Sequence, residues 1–237
     1  MSSSRYRRVL LKLSGEALAG EGKTGIDPAI MAHMVREIGE VHEMGVSVAV
    51  VTGAGNFFRG AMADELGIGR VTGDHMGMLA TVMNSLALHD ALVKGGVPSC
   101  VMSAIAMTEV AEHYTIRGAL ERLDRNETVI VAGGTGHPYF TTDTASSLRA
   151  IELGADVMLK ATRVNGVYTG DPEKDPSARK IDAISYIEVI QKQLRVLDMT
   201  SVSLCMENSL PIIVFNLFER GSMKRIVAGE KIGTIIS

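Results

Sequence analysis

"SVAVVTGAGNFFRG", residues 47–60, begins as an apolar run that stops at Thr52 and passes directly into Gly53, Gly55 and Gly60, with Arg59 one place before the last glycine. A buried strand that runs into a glycine-bearing loop presents backbone amides at its carboxyl end, an arrangement suited to holding an anion. Similar short apolar runs recur at 9–13, 97–102, 128–132, 156–160 and 211–215, and this one spans 46–51. Helix-like patterns fall between them, at about 28–44, 74–94, 117–125 and 143–153. Continuous apolar runs suit strands covered on both faces, and their alternation with helices predicts an α/β fold. The expected architecture is a three-layer sandwich, with a central, mostly parallel twisted sheet and helices on both faces.

Local signals agree with these limits. Asp27-Pro28 reads as an N-cap followed by a proline in the first helical position, and Gly45 and Gly95 stand where helices should stop. The 74–94 segment is apolar almost all round, so it must be covered on more than one side. Its methionines read first as core and second as a subunit interface. "GDPEKDPSARK", 170–180, is the clear Pro/Asp-rich loop and divides the first two-thirds of the chain from the rest.

Composition narrows the function. With 24 basic and 27 acidic residues the net charge is −3, so no basic excess points to nucleic acid. The opening "MSSSRYRRVLLKLSGEAL" has too short an apolar run, interrupted by Lys12, to be a signal peptide, and no apolar stretch approaches the roughly 18 residues of a membrane span. Cys100 and Cys205 are too few and too scattered for a disulfide framework or a zinc site, and read as buried thiols in a reducing cytoplasm.

Two lysines stand out. "RVLLKLSG" and "DVMLKATRVNG" are each apolar strands with one lysine near the carboxyl end, Lys12 and Lys160, followed two places on by Ser14 or Thr162. An unpaired buried ammonium is costly, so each needs an exit to water or an anion. One such lysine alone would be read as snorkelling to the surface. Two in matched settings deliver positive charge to one edge of a parallel sheet, where ligands gather. "GTGHPYFTTD", 134–143, adds a polar loop before a helix, with Thr135, His137, Thr141, Thr142 and Asp143. Either Thr142 or Asp143 caps that helix, or the loop binds an anion; Asp143 is placed to lie between the two lysines.

A dinucleotide fingerprint is the competing reading of 53–58, and it fails. Phe58 occupies the third glycine position, and the acid about 20 residues on, Asp74, begins a helix instead of ending a strand. Phosphoryl transfer accounts for more residues, since it needs fixed positive charge and backbone amides around the moving group. No P-loop or protein-kinase motif is present.

"KLSGEAL" (12–18), "GAGNFFRG" (53–60), "GDHMGMLATVMN" (73–84), "GTGHPYFTTD" (134–143), "KATRVNGVYTGDP" (160–172) and "VAGEKIGT" (227–234) run in order over nearly the whole chain. Together they resemble the bacterial uridylate (UMP) kinases of the amino-acid-kinase family. The resemblance implies a single domain over 1–237, with the acceptor side mainly in 45–145 and the ATP side mainly in 155–237. It implies transfer of the γ-phosphoryl group of ATP to UMP, giving ADP and UDP, with Mg²⁺ accompanying ATP, in a cytoplasmic homohexamer. It also implies nucleotide effectors, GTP as activator and UTP as inhibitor, with the 20–25 stretch a candidate regulatory loop. Catalytic roles fall on Lys12, Lys160 and Asp143. ATP is assigned to Lys12, Leu13, Ser14, Gly15, Gly55, Arg59, Thr162, Tyr168 and Asp171. UMP is assigned to Ala54, Arg59, Asp74, Thr135, Gly136, His137, Pro138, Tyr139, Phe140, Thr141 and Thr142. Two departures are Ala54, where the family usually has glycine, and His137, where it usually has asparagine. A relative that phosphorylates a carboxylate or carbamate, or a non-catalytic uridine-nucleotide sensor, is the alternative.

Overall fold

The computed structural model describes residues 4–22, 24–58, 60–170, 172, 174–175, 177–194 and 196–237, without the side chains at 61 and 64. Arg59 and Asp171, both expected at the nucleotides, lie outside the described residues. The strands are β1 (Arg8–Leu13), β2 (Ser47–Thr52), β3 (Ser99–Ser103), β4 (Glu112–His113), β5 (Thr128–Ala132) and β6 (Val157–Thr162). Then come β7 (Val167–Tyr168), β8 (Lys180–Ile181), β9 (Ala183–Ile184), β10 (Ile212–Asn216) and β11 (Thr234–Ile236). The helices are α1 (Gly15–Leu18), α2 (Pro28–Glu43), α3 (Gly60–Glu65), α4 (Arg70–Lys94) and α5 (Ile116–Asp124). The later ones are α6 (Thr142–Glu152), α7 (Tyr186–Gln191), α8 (Met199–Glu207) and α9 (Ser222–Val227).

One sheet runs β4-β3-β5-β2-β1-β6-β10-β11-β9, and among the described residues only the β10–β11 step is antiparallel. The mostly parallel three-layer sandwich expected from the apolar runs is the fold observed. Chain order turns at β1: β2 lies on one side of it and β6 on the other. Such a reversal opens a crevice beyond the carboxyl ends of the strands.

Strand alternation sorts the side chains into two cores. Val9, Leu11 and Leu13 of β1, with Leu159 of β6, pack beneath α2, α4 and α9. Leu10 and Met158 point the other way, into the core shared with α5, α6, α7 and α8. The two-residue period therefore sends Lys12 and Lys160, each two places beyond a residue of the second core, to the α6 face. Because β1 and β6 pair in parallel register, Lys12 lies directly opposite Lys160.

Helix ends follow the caps. Asp27 accepts hydrogen bonds from the amides of Ala29 and Ile30, with Pro28 first in the helix. Helix α4 starts at Arg70, four residues before the predicted boundary, because the chain is already helical ahead of Asp74. Its 25 residues have a window apolar enough, by length and composition, to cross a membrane. Counting uninterrupted apolar residues missed that window. In the fold α4 lies against the sheet, with Thr81, Asn84 and Ser85 as well as Leu88 and Leu92 buried, while Leu79 and Met83 stay exposed. β7 and β8 pair antiparallel as a hairpin, Val167 opposite Ile181 and Tyr168 opposite Lys180. Thr234 of β11 pins that hairpin, accepting from the Val167 amide at 2.7 Å and donating to the Ile181 carbonyl. Both cysteines are buried, and burial pushes Cys100 up to about 12 and Cys205 up to about 11.

Candidate active site

Asp143 sits between the two lysines. Lys160 Nζ donates a hydrogen bond to Asp143 Oδ2 at 2.7 Å, and Lys12 Nζ approaches Oδ1 at 2.7 Å as an ion pair. Oδ1 has no partner with hydrogen-bond geometry, so Lys12 is held by charge more than by direction. The three side chains are 8%, 17% and 12% exposed for Lys12, Asp143 and Lys160, so two cations and one anion share a nearly dry site. Asp143 is shared by both amines, and Asp198 adds attraction to Lys160 without an ion-pair contact. Burial tends to push Asp143 up, but the Lys12 and Lys160 ammoniums together outweigh it and hold the carboxyl below its ordinary value. Burial, then repulsion from Lys12, pushes Lys160 down to about 8 despite the attraction of Asp143.

Helix α6 delivers Asp143 through a cap that sequence reading placed one or two residues too late. Thr141, not Thr142 or Asp143, is the N-cap, and its Oγ1 accepts from the amides of Asp143 and Thr144. That leaves the Asp143 carboxylate free to face the lysines. Asp198, the N-cap of α8, accepts from the hydroxyls of both Thr141 and Thr144 and so locks the start of α6 to α8. No local signal in the sequence joins residues so far apart, so Asp198 escaped that reading.

Two glycine-bearing turns meet at the carboxyl ends of β1 and β2. Ser14 caps α1, its Oγ accepting from the Ala17 amide. The Gly53 amide donates to the Leu13 carbonyl at 2.7 Å. A Cβ on Gly15 would stand 2.5 Å from the Gly55 nitrogen, and one on Gly53 would stand 2.8 Å from the Gly15 nitrogen. Real Cβ atoms do not approach that closely, so bare backbone at both positions lets the loops touch. The Leu13 side chain is fully buried in the core, which leaves only its backbone for a ligand.

A cleft of about 180 Å³ lies on the α4 side of these loops. Ala54, Asp74, Thr135, His137, Phe140 and Thr141 are among its walls, and Thr142, next to Asp143, closes it. Gly136, Pro138 and Tyr139 belong to the same loop but do not line the cleft. Asp74 accepts from Arg70 Nε at 2.8 Å and from the Tyr139 amide at 2.7 Å, fastening the 134–142 loop to α4. Tyr139 takes a positive φ of 73° and turns its ring out, under the Arg70 guanidinium. The cleft has further walls that motif reading left unassigned: Phe58, Gly73, Gly77, Met78 and Thr81. Gly73, Gly77 and Thr81 recur every four residues, so they share one helix face. That spacing was the available signal.

A second, larger hollow of about 650 Å³ opens on the other side of the lysines, with Lys160, Thr162, Tyr168, Gly170, Leu194 and Val214 in its wall. The Thr162 hydroxyl is already committed to the carbonyl of Val164 at 2.8 Å and that of Phe215 at 3.1 Å. The lysine cluster thus stands between two hollows: Lys160 lines one, and the residue preceding Asp143 lines the other.

A sheet with two hollows at the ends of its central strands, and buried cations between them, fits a phosphotransferase of the α/β class. The chain belongs to the amino acid kinase family, whose model matches residues 7–216. It is 52% identical over 233 residues to the uridylate kinase of Bacteroides thetaiotaomicron, covering 98% of this chain and 99% of that protein. It is 53% identical over 232 residues to the uridylate kinase of Pseudomonas paraeruginosa, covering 98% and 95% of the two chains. Its fold matches the crystal structure of UMP kinase from Bacillus anthracis with a TM-score of 0.95 at 40% identity, covering 98% of this chain and 96% of that one.

Proposed function

We propose that this chain is a UMP kinase that moves the γ-phosphoryl group of ATP onto UMP, giving ADP and UDP, in pyrimidine nucleotide synthesis. The observation that carries the proposal is the buried cluster of Lys12, Asp143 and Lys160, with its excess positive charge, standing between two hollows. The sequence similarity to uridylate kinases supports the choice of acceptor.

The smaller cleft takes UMP, against Ala54, Asp74 and the loop from Thr135 to Thr142, with Arg59 gripping its phosphate as a bidentate fork. The larger hollow takes ATP, with its phosphates over Lys12, Leu13, Ser14, Gly15 and Gly55, near Arg59, and its adenosine near Thr162, Tyr168 and Asp171. A phosphate monoester has its second pKa near about 6, so UMP arrives largely dianionic and needs no general base. The obstacle is repulsion between two anions brought into line. Lys12 and Lys160 offset it at the moving group, and Asp143 keeps the two amines at a fixed separation. Asp143 stays ionised throughout the neutral range because both lysines hold its pKa down.

Mg²⁺ enters with ATP. The ion is held by phosphate oxygens and water, as Mg²⁺ often is with nucleotides. The protein functions as one domain in the cytoplasm, as a homohexamer. The exposed Leu79 and Met83 on α4 support an assembly surface there. GTP and UTP act as effectors, activating and inhibiting respectively.

The test is incubation with ATP and Mg²⁺ alongside UMP, CMP, a glutamate derivative or carbamate, with ADP and the phosphorylated product both followed. UDP formed far faster than any other product is expected. ADP formed only with the carboxylate or carbamate would move the chain to another branch of the family, and no ADP with any of the acceptors would leave it a nucleotide sensor.

A further inference from the structure

Asn56 and Asn84 are 1% and 0% exposed, and neither is explained by contact with a nucleotide. Their side-chain amides form a closed pair. Asn56 Nδ2 donates to Asn84 Oδ1 at 2.9 Å, and Asn84 Nδ2 donates to Asn56 Oδ1 at 2.8 Å. Each amide has one more N–H. That of Asn84 donates to the Gly53 carbonyl at 2.7 Å, and that of Asn56 donates to the Gly25 carbonyl at 2.8 Å. The Gly25 amide returns a bond to the Asn56 carbonyl at 3.1 Å. All four N–H groups are used, and turning either amide over would set N–H against N–H, so the orientation is fixed by the network itself.

The pair also reaches the loop after β1. A Cβ on Gly15 would lie 2.5 Å from Asn56 Oδ1, so Asn56 packs directly on the Gly15 backbone. One buried unit therefore touches the turn that faces the donor phosphates, the turn that faces the acceptor, helix α4 and the loop ahead of α2. Polar groups this deep are costly unless every partner is in place, and a complete network then admits one arrangement.

We infer that Asn56 and Asn84 are positioning residues for phosphoryl transfer: the amide pair sets the spacing between the Ser14–Gly15 and Gly53–Gly55 turns. This deepens the kinase reading and rests on it. The pair touches neither nucleotide, so it acts through the turns, and loosening it affects alignment more than binding. Misplacing reacting groups by about 1 Å costs on the order of 100-fold in rate.

Asn84→Asp gives the sharpest test. It keeps the acceptor toward Asn56 Nδ2 but, when ionised, turns an oxygen on both the Gly53 carbonyl and Asn56 Oδ1. Protonated, it has one O–H to donate to one of these two acceptors, and burial raises its pKa toward the assay range. At pH 8 its kcat is expected to fall about 100-fold, with KM for ATP and UMP within about 3-fold of the parent. The deficit relative to the parent is expected to shrink at least about 3-fold at pH 6, as the proton returns. Asn84→Ser, neutral and smaller, covers the case in which the aspartate variant does not fold. It is expected to lose kcat without the recovery at pH 6. Hydrogen exchange followed by mass spectrometry is expected to speed up in segments 14–26 and 52–58 together, while β6 and α8 keep their protection.

Turnover within about 2-fold of the parent, or a loss confined to KM, overturns the inference. So does exchange that accelerates evenly over the whole chain or in neither segment. A parent protein that makes no UDP refutes the kinase reading instead, and the exchange comparison then decides on the amide pair by itself.

Discussion

The lysine cluster and the cleft beside it meet at Thr142 and Asp143, yet they are built differently. Lys12 and Lys160 stand on neighbouring strands in register, 8% and 12% exposed, and their amines are tied to one carboxylate. The cleft is closed by a loop, 134–142, whose Tyr139 and Phe140 are 67% and 48% exposed. Strands in a sheet fix a side chain within a fraction of an ångström, whereas loops adapt and carry specificity. Under the proposed function this difference divides the labour: charge for the chemistry would be held by the sheet, and recognition of the acceptor would be left to the loop and α4. Changes in the first region should therefore strike turnover, and changes in the second should strike UMP dependence.

The largest effect expected is from Lys12→Met. Turnover should fall by about three orders of magnitude or more, because a buried charge that acts on the moving group is lost. UMP affinity, measured by calorimetry, should stay within a few-fold. A variant with near-normal turnover would erase the distinction between the two regions.

Asp74→Asn should do the reverse. It keeps the size of the side chain but weakens the hold on Arg70 and on the Tyr139 amide. KM for UMP should rise about 10- to 100-fold, with kcat changed by a few-fold at most, as expected for lost binding that is uniform along the reaction. A steady-state series in UMP at saturating ATP separates the two constants. Equal loss in kcat would mean that the cleft aligns the phosphate as well as binding it.

The pH profile gives a smaller effect. With the Lys160 pKa pushed down to about 8, its charge is present below that value and disappears as pH rises through it. The plot of kcat/KM for ATP should descend above about pH 8, by up to tenfold per unit if the charged form alone is active. Lys160→Arg, whose guanidinium keeps its proton, should show a lower but flat limb. A descending limb of the same position in that variant would assign it to another group.

Stability carries the smallest effect, in the opposite direction. Folded Lys160 binds its proton less tightly than the unfolded chain does, so this residue adds stability only as pH rises from about 8 towards 10.5. At pH 7 the crowded cation opposes folding. Lys160→Met leaves Lys12 and Asp143 as a balanced pair and should raise stability by about 1 kcal/mol, or Tm by about 2–4 °C. A thermal melt that moves down would show that Asp143 needs both amines.

The parts of the fold that the residues announced are those with one dominant signal. Each of the six apolar runs became a strand of the main sheet, and Asp27-Pro28 marked the start of α2. The edge strands β4 and β9, two residues each, are too short to leave a pattern, and β11 owes its place to pairing with β10 across the sheet. The two lysines could be read because a charge inside an apolar strand breaks a simple rule, and period-two alternation puts both on one face. The walls supplied by Gly73, Gly77 and Thr81 had a readable four-residue spacing. The link from Asp198 to α6 and the Asn56–Asn84 pair had none, since the residues joined lie 54 or more apart in the first case and 28 in the second.

Proton uptake on nucleotide binding bears most directly on the buried excess charge at Asp143. A non-transferring ATP analogue and UMP are titrated together at pH 8, by calorimetry in two buffers of different ionisation enthalpy. Phosphates arriving at the cluster should restore the Lys160 proton, giving net uptake of up to about half a proton that vanishes in Lys160→Met. Identical heats in both buffers for the parent, or uptake that persists in Lys160→Met, would contradict a phosphate seated at the two lysines.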